Sequence, residues 1–520
     1  MKRNTPSPQA GYALLLVIFF LVLTSLVLFA TFAEVGRSAG LGAKDDRRTE
    51  ALLLAENGLQ LAKGQFRAEI ARIGPVRPDE AEGMLRAALS HLSWTTPEGQ
   101  VRVAAEIVPD SVEKTDRAFS ARVRIVSTAA PSGTERRAVA EYQVTTLSRH
   151  FLFAVSTPGD LHLYGAPYVA GDLFVGGKMT VDNCTDYGTG KVRTSFSSIN
   201  GHLATASSQY TVTERTESCR VSRTYTVPTA TPGPGFVTPP TWQDPAGVRL
   251  TPIDVRSIVQ KWDGAWNRNE YEQYCKRDNR GKCTSNTTIA NDGPPELPAN
   301  RNAQGVIVGN LSLNGRSLTV YGDLIVNGDM TLENSTVTVQ PPGRAIVVKG
   351  SAIFKGNVTI NGTIYTFGDL TLSGNIATNS TFYSLGNATV EEMSNPRQNS
   401  TLVIITDGKI EVARNNAYED TPKRIDAFFY SNQEMKIYGN FSNIEIHGGV
   451  YSPSVSLYAA KGHVKKGLFG PIFDVANQDR LPPEAARLKI FYKEDMIKNP
   501  PEGIYMPGTL EAKELGGWVD

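Results

Sequence analysis

The first 72 residues show two successive hydrophobic patterns. Residues 12–33 (YALLLVIFFLVLTSLVLFATFA) contain no charged side chain, and an uncharged, mostly apolar stretch of 22 residues is long enough for a helix that spans a bilayer. Residues 34–72 then place small and large apolar side chains at helical spacing, among them Ala51, Leu59 and Phe66. We expect one continuous helix whose first half lies in a membrane and whose second half has one buried face.

The pattern changes after Gly74-Pro75, which ends the long helix. Residues 79–92 predict a second, short helix. Apolar and polar positions then alternate with the period of a β-strand in three runs, at 101–108, 119–127 and 135–146. These elements predict an antiparallel sheet that covers the second half of the long helix.

A short phrase recurs after residue 155: Gly, then Asp or Asn, then alternating apolar residues. Examples are GDLHLYG from Gly159, GNLSLNG from Gly309 and GDLTLSG from Gly368. Each copy predicts a strand of three to five residues that ends in a turn, and such strands gain a buried core by stacking. We therefore predict a β-solenoid over residues 151–470, with right-handed parallel coils. A β-sandwich remains the alternative because no single period holds.

Residues 184–300 interrupt these phrases. They include the Pro-rich stretch 228–245 and contain all four cysteines of the chain. We predict two disulfides, Cys184–Cys219 and Cys275–Cys283, as expected of an exported chain with an even number of cysteines.

Basic residues concentrate in the same region. Residues 184–283 have 13 basic and 9 acidic side chains, and the densest run is CKRDNRGKC from Cys275. Clustered Lys and Arg can displace counterions from DNA phosphates. The candidate DNA-binding residues are Lys276, Arg277, Arg280, Lys282, Lys191, Arg193, Arg220 and Arg223. The alternative is that these side chains are simply solvated. Interleaved aromatic residues could also stack on unpaired bases.

Composition and motifs limit the remaining function classes. A chain of 520 residues with a net charge of +1 is not a bulk nucleic-acid coat protein, although a local basic site is compatible with that charge. No metal-binding, nucleophile-elbow or phosphate-loop motif occurs. We therefore expect no enzyme activity, no cofactor, no metal and no catalytic residue.

The N-terminus resembles the type IV prepilins. These proteins carry a short basic leader that ends in Gly and is cut before an aromatic residue, which maps here to cleavage between Gly11 and Tyr12. The family usually has Glu at the fifth mature position, where this chain has Leu16. That departure favours a tip or initiating minor pilin. The alternative is a plain signal-anchor helix.

The resemblance implies an α+β fold in which a pilin body carries an inserted β-solenoid. The expected segments are a leader (1–11), a transmembrane half-helix (12–33), a pilin body (34–150), the solenoid (151–470) with its cysteine-containing sub-insertion (184–300), and a C-terminal return to the pilin body (471–520). The implied location is a single pass through the inner membrane before assembly, then the pilus tip.

The whole layout is similar to that of competence-associated minor pilins. That resemblance implies a tip receptor for extracellular DNA in natural transformation. The implied partners are other minor pilins, the major pilin, the prepilin peptidase and double-stranded DNA. The alternatives are a tip adhesin and a structural priming pilin that does not bind DNA.

Overall fold

A computed structural model provides the fold. It describes the backbone of residues 9–97, 100–186, 191–243, 245, 248–280, 282–298, 303–395, 400–416, 418–440, 442–467, 470–473 and 481–520. Most of the predicted leader, residues 1–8, lies outside these ranges.

The helices are few, and the first is by far the longest. They are α1 (Gln9–Arg72), α2 (Pro78–Ser90), α3 (Val255–Gln260) and α4 (Asp495–Lys498), with short 3-10 helices at Pro131–Gly133, Arg149–Leu152, Ala265–Asn267 and Pro483–Ala485. The second half of α1 buries one face, which includes Ala55, Ala62 and Phe66. The side chains of residues 17–32 are all exposed.

The predicted transmembrane segment at 12–33 is wrong, and with it the predicted inner-membrane location. Within the ranges given above, none of the helices combines the length and the apolar character that crossing a membrane requires.

The strands are numbered in chain order. The first group is β1 (Trp94–Thr95), β2 (Val101–Ile107), β3 (Glu113–Lys114), β4 (Phe119–Ala129) and β5 (Arg136–Thr145). The second group is β6 (Val155–Thr157), β7 (Asp160–Gly165), β8 (Tyr168–Ala170), β9 (Leu173–Val175), β10 (Met179–Asp182), β11 (Cys184–Asp186), β12 (Lys191–Arg193), β13 (Ser197–Asn200), β14 (His202–Thr205), β15 (Gln209–Arg215), β16 (Val221–Pro228), β17 (Phe236–Thr238), β18 (Thr241–Gln243), β19 (Glu272–Gln273), β20 (Cys275–Arg277), β21 (Cys283–Asn286) and β22 (Glu296–Leu297).

The third group begins with β23 (Gly305–Val308), β24 (Leu311–Asn314), β25 (Ser317–Tyr321), β26 (Asp323–Val326), β27 (Met330–Glu333), β28 (Thr336–Gln340), β29 (Ala345–Val348), β30 (Ala352–Asn361), β31 (Thr363–Thr366), β32 (Leu370–Ala377) and β33 (Thr381–Ser384). It ends with β34 (Ala388–Ser394), β35 (Leu402–Thr406), β36 (Ile410–Ala413), β37 (Lys423–Ser431), β38 (Glu434–Tyr438), β39 (Ile444–Tyr451), β40 (Ser454–Ala459), β41 (Val464–Gly467), β42 (Gly470–Phe473), β43 (Leu488–Tyr492) and β44 (Glu511–Val519).

A six-stranded antiparallel sheet packs against α1. Its order is β1-β2-β4-β5-β44, and β3 pairs with β4. Strand β44 comes from the far end of the chain and pairs with β5 from Glu511 opposite Thr145 to Val519 opposite Ala138. The core between helix and sheet includes Leu59, Phe66 and Val123, and the Phe66 and Tyr142 rings lie 4.8 Å apart.

Most of the chain forms a β-solenoid, as the recurring phrase predicts. Two long sheets face each other: sheet S1 has 17 strands and sheet S2 has 15. The coils number about 13, and strands account for 47% of the chain against 17% for helices. The predicted α+β class with a pilin fold is therefore wrong, because stacked coils and not a helix-on-sheet unit dominate the molecule.

The Gly-Asp and Gly-Asn phrases make one corner of the coils. Each side-chain oxygen accepts a backbone N–H of the next coil: Asn310 Oδ1 from Asp329 (2.9 Å), Asp329 Oδ1 from Ser351 (2.8 Å) and Asp369 Oδ1 from Asn387 (2.7 Å). Buried backbone donors need such partners wherever the strands end. The phrase therefore recurs because every coil needs the same corner bond.

The chain enters this stack in the middle. Strand β7 pairs with β10 on one side and with β40 on the other. The chain climbs from β6 to β15 and then crosses to the opposite end. It winds back through β23 to β40 until it meets its own first coil. Strand β43 fills the place between β39 and β8. Residues 197–215, within the predicted sub-insertion, form one of the coils.

The crossing segment covers the outer face of sheet S1. We call residues 248–274 the strap. The strap and sheet S1 share a second core that includes Val255, Val259 and Val347. Strands of S1 such as β23 and β26 are therefore buried at every position. Strands of S2 such as β28 alternate, because their outer face meets solvent.

Candidate nucleic-acid interface

The strongest basic segment lies at one end of the solenoid. Strands β20 and β21 pair antiparallel, and a disulfide joins Cys275 to Cys283, as the sequence predicts. The chain leaves the last coil at Tyr274, whose carbonyl accepts the N–H of Thr287, and resumes the coil there. We call residues 275–283 the basic loop. It is an outgrowth of the end coil and not part of the stack.

The basic loop has four exposed cationic side chains: Lys276, Arg277, Arg280 and Lys282. Its single acidic residue is Asp278. The Asp278 carboxylate accepts the backbone N–H groups of Arg280 and Lys282, both at 2.9 Å. The loop therefore uses its carboxylate to form the turn, and it presents a net charge of three positive groups over nine residues.

The other four candidates lie around the first disulfide, which joins Cys184 to Cys219, also as predicted. We call Lys191, Arg193, Arg220 and Arg223 the 191–223 cluster. Arg193 pairs with Glu217 at 2.8 Å, and the Arg223 guanidinium lies 4.6 Å from the centre of the Tyr225 ring. Acidic residues lie directly across the strand pairs, Asp186 opposite Lys191 and Glu214 opposite Arg223. This cluster is consequently less positive than the basic loop.

The structure places the two groups at opposite ends of the solenoid. The 191–223 cluster belongs to the end formed by β15 and β16, and the basic loop to the end formed by β19 and β22. About ten strand spacings of roughly 4.8 Å separate these ends, which is more than about 40 Å. The eight predicted residues therefore do not form one surface.

The aromatic residues among the basic ones serve mainly for packing. Trp262 and Trp266 of the strap pack on Tyr365 and Phe367, with ring centres 5.5 Å apart in both pairs. Tyr271 is buried, and its hydroxyl donates to Asp323. Trp242 keeps 40% of its surface exposed. These aromatic residues therefore do not support base stacking. The basic loop remains a candidate site for electrostatic contact with DNA phosphates.

The predicted cleavage residues, Gly11 and Tyr12, fall within α1. Across the part of the chain that the structure describes, no three side chains of His, Cys, Asp or Glu come together as metal ligands.

Comparison with solved structures shows a likeness to a competence pilin. The chain is similar to the crystal structure of the competence-associated pilin ComZ from Thermus thermophilus. The TM-score is 0.26 and the sequence identity 13%, over 91% of this chain and 98% of that one. No family model matches the chain, and no curated protein matches it. Because the TM-score is low, the functional interpretation depends on this chain's own residues.

Two features of the structure were not predicted from the sequence. One is the strap, whose partners in sheet S1 were signalled by uninterrupted apolar strands such as AIVV and LVIIT. The other is a row of tyrosines on the outer face of S2. Tyr438, Tyr458 and Tyr164 stand at equivalent positions of neighbouring strands. They are far apart in sequence, so only the strand register brings them together.

Proposed function

We propose that this chain is a minor pilin of the pilus tip that captures extracellular double-stranded DNA during natural transformation. The observation that carries the proposal is the basic loop, where a disulfide holds four exposed cations at the end of a long rigid scaffold. The proposal assigns no chemical step to the chain.

The pilus role is supported by the resemblance of the N-terminal sequence to a prepilin leader and by the exposed apolar side chains of α1 from residue 17 to residue 32. From residue 17 to residue 32 the helix presents large apolar side chains, such as Val17 (55% exposed) and Phe29 (79% exposed). An apolar surface of this extent marks a site that another molecule covers. Helices of neighbouring pilins are the cover that we propose, and other minor pilins and the major pilin are the partners. The prepilin peptidase would cut between Gly11 and Tyr12.

The DNA role follows from the charge and rigidity of the basic loop. Duplex DNA presents a phosphate about every 1.7 Å of its axis, and clustered cations bind it by releasing counterions. The Cys275–Cys283 disulfide orders the loop before it binds, which reduces the entropy lost on association. The neutral coils beside the loop would act as a spacer that holds it away from the helix and its sheet.

A mobility-shift titration with the full chain and duplex DNA tests this proposal. The test variant replaces four loop residues by Ala: Lys276, Arg277, Arg280 and Lys282. A matched control removes the same charge from exposed lysines elsewhere on the solenoid: Lys178, Lys349, Lys355 and Lys409. We expect the loop variant to flatten the dependence of log K on log salt by up to about 3.6, because each phosphate contact contributes about 0.9. The control should keep the slope.

Two results would overturn the proposal. The first is no shift of DNA by the unmodified chain at low salt. The second is a loop variant that binds as the control does, while a variant with all four residues of the 191–223 cluster changed to Ala loses its affinity. That outcome would assign the DNA contact to the other end of the solenoid.

A further inference from the structure

The outer face of sheet S2 carries a concavity near the end formed by β15. Its volume is about 230 Å³, and its walls include Tyr164, Tyr458, Asp182, Asp186, Lys191 and Arg215. The basic loop is at the opposite end of the stack. The concavity is therefore a separate site from the proposed DNA interface.

Stacked tyrosines make one wall. Tyr438, Tyr458 and Tyr164 lie at equivalent positions on β38, β40 and β7. Successive ring centres are 4.7 Å apart, with interplanar angles of 19° and 12°. The row stops at Tyr164, because the equivalent position on β10 is Asp182. The aromatic wall therefore meets a polar wall at this point.

The polar wall carries both signs of charge in equal number. Asp182 Oδ2 accepts a hydrogen bond from Arg215 Nε at 2.6 Å, and Asp186 and Lys191 are cross-strand neighbours on β11 and β12. Two carboxylates disfavour a phosphate or another anion, and two cations disfavour a metal or an amine. A neutral ligand that both donates and accepts hydrogen bonds fits this set of groups.

The phenols add hydrogen-bond donors. Burial raises the pKa values of Tyr164 and Tyr458. Both hydroxyls therefore stay protonated at neutral pH. The edges of the stacked rings also present an apolar surface to the C–H groups of a ligand. Hydroxyl groups combined with C–H faces are the chemistry of sugars.

Bonds within the chain hold the polar wall. Asp182 Oδ1 accepts the N–H of Cys184 at 2.8 Å, Cys184 is bonded to Cys219, and the Cys219 carbonyl accepts from Arg215 Nη1 at 3.2 Å. The disulfide, the turn and the ion pair thus hold the polar wall in place. A preformed wall lowers the entropic cost of binding.

We propose that this concavity binds a neutral sugar residue of a glycan. The chain would then have a carbohydrate-binding activity that is independent of the proposed DNA contact.

Saturation-transfer difference NMR of the full chain with maltose, cellobiose and N,N′-diacetylchitobiose tests the inference. We expect saturation transfer to at least one of the three. Tyr458→Phe removes one hydroxyl, and Lys191→Ala removes one donor, so each should weaken binding about two- to tenfold. Tyr438→Phe is the matched control, since this residue belongs to the same row and does not line the concavity.

The inference is overturned if none of the three sugars receives saturation. It is equally overturned if binding survives unchanged in both Tyr458→Phe and Lys191→Ala, or if Tyr438→Phe weakens it as much as they do. The loop variant that tests the DNA proposal should bind sugar normally, so the two proposals succeed or fail separately.

Discussion

We expect His150 to make the stability of the molecule sensitive to acid. It lies in the short 3-10 helix where the chain passes from the six-stranded sheet to the solenoid, and only 4% of it is exposed. Its ring packs edge-on against Tyr430 and Tyr451, with ring centres 5.2 and 4.3 Å away. Nδ1 shares a hydrogen bond with Ser148, and Nε2 has no partner within the described ranges. Burial, and then the charge of Arg149, lower the pKa of His150 to about 3.

The sign and size of the effect follow from this pKa. An unfolded chain binds a proton at His150 as the pH falls through 6.5, whereas the folded chain does so only near pH 3. The contribution of the neutral His150 ring to the free energy of unfolding is therefore fully present above pH 6.5, and it declines as the pH falls from 6.5 to 3. At pH 5 the loss should be about 2 kcal/mol, since each unit of pKa difference corresponds to about 1.4 kcal/mol.

Urea unfolding followed by circular dichroism at pH 7.5 and 5.0 measures this loss. We expect the unmodified chain to lose about 2 kcal/mol more between these pH values than His150→Phe, which cannot take up the proton. His91→Gln is the control, because His91 is exposed, and it should behave as the unmodified chain. Equal losses in the unmodified chain and in His150→Phe would refute the reasoning.

Two further predictions concern stability and use the same urea measurement. Lys513 is buried, lies 2.8 Å from Asp172 and donates to the Leu152 carbonyl. Lys513→Met should cost about 3 kcal/mol because it leaves a shielded carboxylate without its cation. Adding Asp172→Asn should recover part of that loss, and no recovery would contradict the ion-pair explanation. Gly374→Ala should cost more than about 2 kcal/mol, because φ is +100° and a Cβ would lie 2.5 Å from the carbonyl of the coil below. Gly315→Ala, at φ +71° in open space, should cost about 1 kcal/mol from backbone strain alone. Equal losses of stability in the two variants would refute the expected clash at Gly374.

The local structure was largely predictable, because it depends on neighbours in sequence. The strand pattern places β2, β4 and β5 within a few residues of their observed bounds. The corner bond explains why Gly and Asp recur, as at Asp329 and Asp369. Each of these features depends only on contacts within one coil or between consecutive coils. The recurring Gly-Asp and Gly-Asn phrase is therefore enough to predict them.

Long-range organisation was not predictable from the same pattern. The basic loop and the 191–223 cluster lie within one hundred residues of sequence, yet the crossing of the strap puts them at opposite ends. The residues in the solenoid strands also outnumber those in the long helix and its sheet, so the predicted α+β class was wrong. A pattern of apolar positions does not say which coil stacks on which, because every coil of a solenoid offers a similar edge.

The entry of the chain into the middle of the stack has a consequence for biosynthesis. Thr157 donates to the Pro453 carbonyl, 296 residues away in the chain. During translation the first coils therefore emerge long before the coil that will cover them, and their edge stays unpaired meanwhile. Contacts between such distant segments form slowly, and exposed strand edges favour aggregation. The ribosome must therefore synthesise most of the chain before the stack can close. A truncated product would keep an unpaired, aggregation-prone strand edge.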